Sequence, residues 1–299
     1  MAIGARLIKR RIRSVQNTRK ITGAMELVAA SKMRRAADLT LASRAYAKTA
    51  GEIVTRARQD VDERIHPLLG GRRNPQASLV IIVASDRGLC GGFNVQLSKA
   101  AVNFLKERNE TLVIATVGKR AAIAVRRAGL EITTVFESIS NAPSFDHSAP
   151  VGAYAYDLFI KKTVDRVFVI YTDYRSALSQ VPTVEQLLPI IPEAELANMS
   201  AHDEDDVWKD GGETGKALFE PSAEKIFDAL LPRVLETKIY QSLLESAASE
   251  HAARMMAMKN ATKNAGEMIE SLQFTYNQAR QAGITQEMLE ITSGKSAIE

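Results

Sequence analysis

The chain has 299 residues, of which 45% are hydrophobic, enough apolar content for one or two folded domains. No run of about 18 apolar residues occurs, so we expect no membrane span, and the early basic residues argue against a secretory signal. The single cysteine, Cys90, excludes an internal disulfide and suits a reducing compartment.

The net charge is only +4, but it is unevenly distributed. Residues 1–60 hold 14 Lys and Arg against 4 acids, a surplus of 14 − 4 = +10, whereas residues 193–228 are acidic around the run 203–206. This layout indicates different partners for the two regions. Aromatic residues do not interleave with the basic ones, so a solvated or partner-facing helix surface is preferred to a nucleic-acid site.

The first element is a predicted helix from Ile3 to about Arg58, because no proline occurs before Pro67. An apolar stripe recurs every three or four residues along it and gives way to small residues. The stripe consists of Ile3, Leu7, Ile8, Ile12, Val15, Ile21, Met25, Val28, Ala29, Ala36 and Ala37.

After a predicted linker at residues 67–75, short apolar runs alternate with helical patterns. Strands are predicted at 79–84, 111–117, 132–136 and 166–171, and helices at 95–109, 119–128 and 152–163. A last strand at 178–188 is expected to return antiparallel at an edge, because Pro182 cannot donate a ladder hydrogen bond. This alternation predicts a mostly parallel α/β sheet, followed by a polar, acidic loop at about 191–220.

The last element is a second long helix, from about Leu230 to Gly294. At 1.5 Å per residue, roughly 60 residues would form a rod on the order of 90 Å long, which needs a partner. A seam of near-heptad spacing follows it: Leu244, Ala248, Ala252, Met255, Met258, Thr262, Ala265, Ile269, Leu272, Tyr276 and Ala279.

Since a compact segment must return the chain between the two long helices, we expect them to pair antiparallel. The predicted division is an N-terminal helix at 1–66, an α/β domain at 67–220 and a C-terminal helix at 221–299.

The turn from Ser85 to Asn94 lies where a doubly wound fold binds phosphate, after the first strand and before a helix. Its glycines have neither the G-x-G-x-x-G nor the Walker A spacing, so we interpret it as a structural turn. The residues of that turn are Asp86, Arg87, Gly88, Cys90, Gly91 and Gly92. The acidic run beside His202 cannot point four ligands at one ion, and no acid–base pair stands out. We therefore expect no catalytic, cofactor or metal site.

Several motifs resemble the gamma subunit of F-type ATP synthases. They are Ile21-Thr22 with Met25, the segment Val28 to Arg34, the turn Ser85 to Asn94, the run Ala253 to Thr262 and the ending Tyr276 to Glu287. They occur in the family's order and span the chain. One departure is Lys295, which follows Gly294 where the family usually has alanine.

The resemblance implies a non-catalytic rotor shaft, an antiparallel coiled coil carrying a Rossmann-like foot. Its implied partners are three α and three β subunits around the shaft, the epsilon subunit and the membrane c-ring, with no nucleic acid. Proton-driven rotation of the c-ring would drive ATP synthesis at the β subunits. The implied location is the cytoplasmic face of a bacterial plasma membrane, as a peripheral subunit without cofactors.

The resemblance also implies roles for particular residues. Coupling to the acidic lever of the β subunits falls to Met25, Lys32, Arg34, Arg35, Arg280 and Gln281. An apolar bearing tip consists of Ile284, Met288, Leu289 and Ile291. The c-ring contact falls to Leu218, Phe219, Glu220 and Pro221.

Two other classes of protein fit parts of the pattern. A nucleotide-binding α/β enzyme with a helical oligomerisation arm would bind ATP or NAD in its purified form. A free-standing coiled-coil scaffold would self-associate through the seam.

Overall fold

The computed structural model describes residues 3–59, 66–70, 74–190 and 222–296. The helices are α1 (Ile3–Gln59), α2 (Phe93–Lys106), α3 (Lys119–Arg127), α4 (Phe145–Ile160) and α5 (Ala223–Ser296). The strands are β1 (Ala77–Val83), β2 (Thr111–Val117), β3 (Thr134–Phe136), β4 (Arg166–Tyr174) and β5 (Gln180–Leu188). The described chain therefore confirms the predicted fold class, two long terminal helices around an α/β segment.

The five strands form one sheet in the order β3-β2-β1-β4-β5. β1 pairs parallel with both β2 and β4, and β3 pairs parallel with β2. β5 runs antiparallel to β4, with Pro182 opposite Thr172, so the predicted returning edge strand is confirmed. A parallel pair needs a crossover connection, which α2, α3 and α4 supply; the arrangement is Rossmann-like.

Each face of the sheet has its own apolar core. Alternate β1 side chains, Val80 and Ile82, pack with Leu97 of α2 and Val125 of α3. The other β1 side chains face a larger core that α1, α4 and α5 complete, with Val54, Phe159 and Leu235 among its members. Because both faces are covered, β1 is buried along nearly its whole length.

The chain divides into two compact units, Met1–Ser31 with Arg254–Glu299, and Lys32–Ala253. In the first unit α1 and α5 pair antiparallel, since Thr22 contacts Thr262 and Arg19 lies beside Gly266. The Thr262 hydroxyl lies 2.8 Å from that of Thr22. The domain boundaries at 66 and 220 remain a prediction.

The predicted seam of α5 is buried or half-buried at every position from Leu244 to Ala279. Three of its members in the first unit, Met258, Ala265 and Ile269, are at most 8% exposed. The seam spacing thus identified the correct face of the helix.

The predicted stripe of α1 is partly wrong. Ile12 and Ala29 are buried, but Leu7, Ile21 and Val28 are more than half exposed. The physical reason is that the buried face of α1 is narrow and contains small residues such as Ala5, so three larger apolar side chains fall beside it.

Helix α4 begins seven residues before its predicted start, with Pro150 inside it. A capping box between Ser144 and His147 satisfies backbone groups at its first turn. The usual residue at the third position of the helix in a capping box is Glu or Gln, and here it is His147. The sequence pattern therefore did not reveal this start. Helix α5 also begins before its predicted start at about Leu230. Its first residue is Ala223, and Pro232 lies inside it.

Candidate functional site

The turn between β1 and α2 is closed by contacts among its own side chains. The backbone N–H of Ser85 donates to Asn94 Oδ1 at 3.3 Å, and Asn94 Nδ2 donates to Cys90 Sγ at 3.0 Å. Cys90 is buried, so the thiol is part of the packing of the turn. Two residues have positive φ, Leu89 at 61° and Gly91 at 56°. These contacts support the prediction of a structural turn.

Among the remaining predicted turn residues, Arg87 and Gly92 are exposed, whereas Asp86 is bonded to neighbouring elements. The Asp86 carboxylate accepts from the backbone N–H of Lys119 at 3.1 Å and from the Ser140 hydroxyl at 2.9 Å. It therefore satisfies an N–H at the start of α3, where the helix dipole favours negative charge. Gly88 lies beside the Arg120 guanidinium, the carbonyl of Arg87 lies 2.6 Å from the Ser85 hydroxyl, and Gly92 is the N-cap of α2.

The crevice at which open α/β sheets bind ligands lies where the strand order reverses, here between β1 and β4. Helix α5 contacts both strands at that crevice. Ser246 donates to the carbonyl of Val83 at 3.2 Å, and Ser249 donates to the carbonyl of Thr172 at 3.1 Å. The helix thus lies against the carboxyl-terminal ends of both strands at this crevice. Within the described ranges, no group of three or more His, Cys, Asp and Glu side chains is arranged to hold a metal ion.

The predicted coupling cations lie on the surface of α1. Lys32, Arg34 and Arg35 are all exposed. Lys32 donates to the side-chain oxygen of Asn141 at 3.0 Å, so one of the three is held by the loop before α4.

Sequence reasoning did not identify that loop, which also contacts α5. The ring Nε2 of buried His251 lies 3.1 Å from the carbonyl oxygen of Asn141. Asn141 therefore connects to α1 through its side chain and to α5 through its backbone. A histidine directly before the seam residue Ala252 was the sequence signal for this contact.

The other predicted site residues lie on α1 and α5 or outside the described residues. Met25 is half-buried, and Arg280 and Gln281 are exposed on α5. Each residue of the predicted bearing tip is exposed: Ile284 by 48%, Met288 by 61%, Leu289 by 60% and Ile291 by 73%. The predicted c-ring contact at residues 218–221 lies outside the described residues.

Both long helices expose large apolar side chains away from their seam. The exposed residues of α1 include Leu7, Ile21, Leu27, Val28, Leu39 and Leu41, and those of α5 include Met268 and Phe274 as well as the tip. A soluble monomer rarely displays so many apolar groups along two helices, and such surfaces mark interaction sites.

Comparison with known proteins agrees with this geometry. Residues 4–298 match the family described as ATP synthase. The ATP synthase gamma chain of Moorella thermoacetica is 40% identical over 292 residues, covering 98% of each chain. The gamma chain of Geotalea daltonii is 41% identical over 295 residues, again covering 98% of each.

Solved structures show the same fold at lower identity. A chain from the rotor of the Euglena gracilis mitochondrial ATP synthase superposes with a TM-score of 0.62 at 20% identity, covering 94% of this chain and 99% of that one. One from the central stalk and c-ring structure of the Tetrahymena thermophila enzyme gives 0.58 at 23% identity, covering 81% and 99%. With the sequence match over nearly the whole length, these findings show that the chain belongs to the family of ATP synthase gamma chains.

Proposed function

We propose that this chain is the central rotor shaft of a bacterial F-type ATP synthase. It would couple proton-driven rotation of the c-ring to ATP synthesis or hydrolysis at the β subunits, without catalysing a reaction itself. The proposed partners are three α and three β subunits around the paired helices, with the epsilon subunit and the c-ring at the α/β segment.

The observation that carries this proposal is the paired helices with apolar side chains on their outer surface. Small residues such as Ala29 of α1 and Ala265 of α5 are buried in the unit in which the two helices pair. The outer residues, among them Phe274 at 73% exposure, have no role in that pairing. A surrounding sleeve of subunits would cover them and gain the free energy of apolar burial.

A shaft also needs groups that transmit force to the catalytic subunits. Exposed Lys32, Arg34 and Arg35 suit an acidic lever, and exposed Arg280 and Gln281 suit a polar catch on a β loop. Exposed ion pairs contribute about 1 kcal/mol or less, so such contacts can break and re-form in each turn. Aliphatic Leu289 and Ile291 make no directional bonds, as a bearing requires.

The alternative of a nucleotide-binding enzyme is disfavoured by the position of α5. Ser246 and Ser249 lie at the crevice between β1 and β4 that a nucleotide would need. In the turn after β1, the side chains of Asn94 and Asp86 are hydrogen-bonded within the protein. We therefore assign the chain a mechanical role.

We further propose that the chain acts at the cytoplasmic face of the plasma membrane as a peripheral subunit. In the described part of the chain, none of the helices combines the length and apolarity needed to cross a bilayer. Attachment would then depend on the c-ring.

Co-purification tests this function. The chain, tagged and expressed in its own host, should bring down α, β and epsilon subunits together with the c-ring in mild detergent. Recovery of the chain alone, or only as a self-associated coiled coil, would overturn the proposal. Micromolar binding of ATP or NAD to the purified chain would favour the enzyme alternative.

A further inference from the structure

A polar cluster joins three elements inside the Lys32–Ala253 unit. Arg44 of α1 donates to Glu245 of α5 at 2.8 Å and lies 3.5 Å from Asp173 of β4. Gln241, one turn before Glu245, donates to the same carboxylate at 2.6 Å. We call Arg44, Asp173, Gln241 and Glu245 the helix–sheet lock.

The carboxylate at the centre of the lock is buried, and its side chain is only 5% exposed. Burial raises the pKa of Glu245, and the hydrogen bonds from Gln241 and Arg44 oppose that rise only in part. A charged group placed in such a position is costly to desolvate, and a hydrophobic pair of similar volume would often be as stable. Net stability is therefore a poor explanation for the lock.

A second bridge lies beside the lock. Lys238, on α5, donates to Glu185 of β5 at 3.0 Å. Tyr171 of β4 donates to the other oxygen of Glu185 at 3.4 Å, and burial raises the pKa of this tyrosine, so it stays protonated. Strand β5 is thus bonded directly to α5, and β4 is linked to α5 through Glu185 and by the Ser249 hydroxyl at the Thr172 carbonyl.

Directional bonds differ from apolar packing in what they resist. Side chains such as Val54 and Leu235 in the surrounding core also resist sliding because they interdigitate, but their contacts are non-directional. A hydrogen-bonded ion pair weakens steeply when its distance or angle changes. The lock therefore opposes rotation of α1 and α5 against the sheet.

We propose that the helix–sheet lock is a torque-bearing joint, which holds the two long helices in a fixed rotational position on the α/β sheet. This inference rests on the proposed rotor function. Arg44 and Glu245 are positioning residues in it, because they touch no substrate and act through the helices that carry them.

The test replaces the charged pair by apolar side chains of similar size, Arg44→Met with Glu245→Leu, in the complete ATP synthase in membrane vesicles. Asp173 keeps a second partner, Arg175 at 3.2 Å, so no charge is left unpaired there. We expect normal assembly, an unchanged or raised melting temperature and retained ATP hydrolysis. Proton pumping per ATP hydrolysed should fall.

The matched control is Lys161→Met with Asp157→Leu. Asp157 lies in α4 and Lys161 directly follows that helix, and the charged atoms of this exposed pair are 3.0 Å apart. It makes the same chemical change without joining two elements, so pumping per ATP should equal that of the unaltered complex. A pumping ratio in the Arg44/Glu245 variant equal to the control would overturn the inference.

If the double variant does not assemble, Glu245→Gln decides, because the amide keeps the shape but loses the ion pair. A reduced pumping ratio in that variant supports the joint, and an unchanged ratio refutes it. Failure of the unaltered chain to support ATP-driven pumping in the same vesicles would instead refute the proposed function. The two failures are therefore distinguishable.

Discussion

At the scale of single residues, Gly118 shows how backbone geometry constrains this sheet. It has φ of 87°, and an added Cβ would overlap the carbonyl oxygen of Ala84. Its N–H donates to the Phe136 carbonyl at 2.9 Å, which fixes the β2–α3 turn beside β3. Only glycine combines this conformation with this close approach.

A series of three alanine substitutions separates strain from overlap. Gly118→Ala should destabilise the chain by about 3 kcal/mol or more, because strain and overpacking add. Gly129→Ala, with φ of 76° but open space, should cost about 1–2 kcal/mol. Gly51→Ala, in helix α1 with open space around the new Cβ, should gain about 0.5–1 kcal/mol. Denaturant unfolding of the purified chains gives the order, and equal losses at 118 and 129 would remove the overlap argument.

His66 is a second residue whose surroundings predict a measurement. Its Nδ1 accepts the Leu68 N–H at 3.1 Å, and its Nε2 lies 3.3 Å from Asp228 Oδ1. Burial lowers the pKa of His66, and Asp228 opposes that shift only in part. Below the unfolded value of about 6.5, the unfolded chain therefore binds a proton that the folded chain does not, and stability falls with acidification.

His66 should consequently contribute a decrease in the free energy of unfolding from about pH 7.5 to about pH 5.5, in addition to the contributions of other groups. His66→Asn keeps an acceptor for the Leu68 N–H but cannot titrate, so the decrease should be smaller in this variant. Denaturant titrations at several pH values measure the two slopes. Equal slopes would show that His66 does not contribute to the pH dependence.

At the scale of elements, the sequence predicted the strands and helices that have a repeating apolar pattern. It missed the features that depend on contacts between distant residues. The bounds of β2 and the antiparallel β5 followed from apolar runs and Pro182, since such patterns reflect local geometry. The first turns of α4 were missed because their cap uses His147. Gly118 and Asn141 were not singled out, because their importance arises only when the fold brings Ala84 near Gly118, and Lys32 and His251 near Asn141.

The α5 seam leads to a prediction about helix pairing. Ile269 is 7% exposed, while its neighbour Met268 is 47% exposed. Ile269→Ala leaves a cavity and should destabilise the paired helices by about 2 kcal/mol or more. Met268→Ala should change stability by about 0.5 kcal/mol or less. Circular dichroism during denaturant unfolding measures both, and a similar loss in the two variants would contradict the seam.

At the scale of the whole molecule, the candidate site is a set of exposed surfaces to which we expect other subunits to bind. The sequence resemblance supplied the coupling residues, and the structure shows Lys32, Arg34, Arg35, Arg280 and Gln281 exposed. Which of these residues bears force is determined by subunits outside this chain. Torque transfer therefore has to be tested in the complete enzyme.

The proposed polar catch gives the clearest such test. Arg280→Ala with Gln281→Ala removes two exposed side chains from α5, so the isolated chain should keep its fold and stability. In the assembled enzyme the rate of ATP synthesis should fall. A loss of about 1 kcal/mol of interaction corresponds to about a fivefold slower rate. The measurement is ATP synthesis by energised membrane vesicles.

A matched control is Lys263→Ala with Glu267→Ala, an exposed pair of α5 whose charged atoms lie 3.8 Å apart. This pair is outside the predicted catch, and an exposed ion pair contributes little to stability, so synthesis should stay at the unaltered rate. The catch assignment requires that only the Arg280/Gln281 variant is slow. If both variants are equally slow, the helix surface as a whole matters and no specific catch exists; if both synthesise ATP normally, these two residues carry no coupling force.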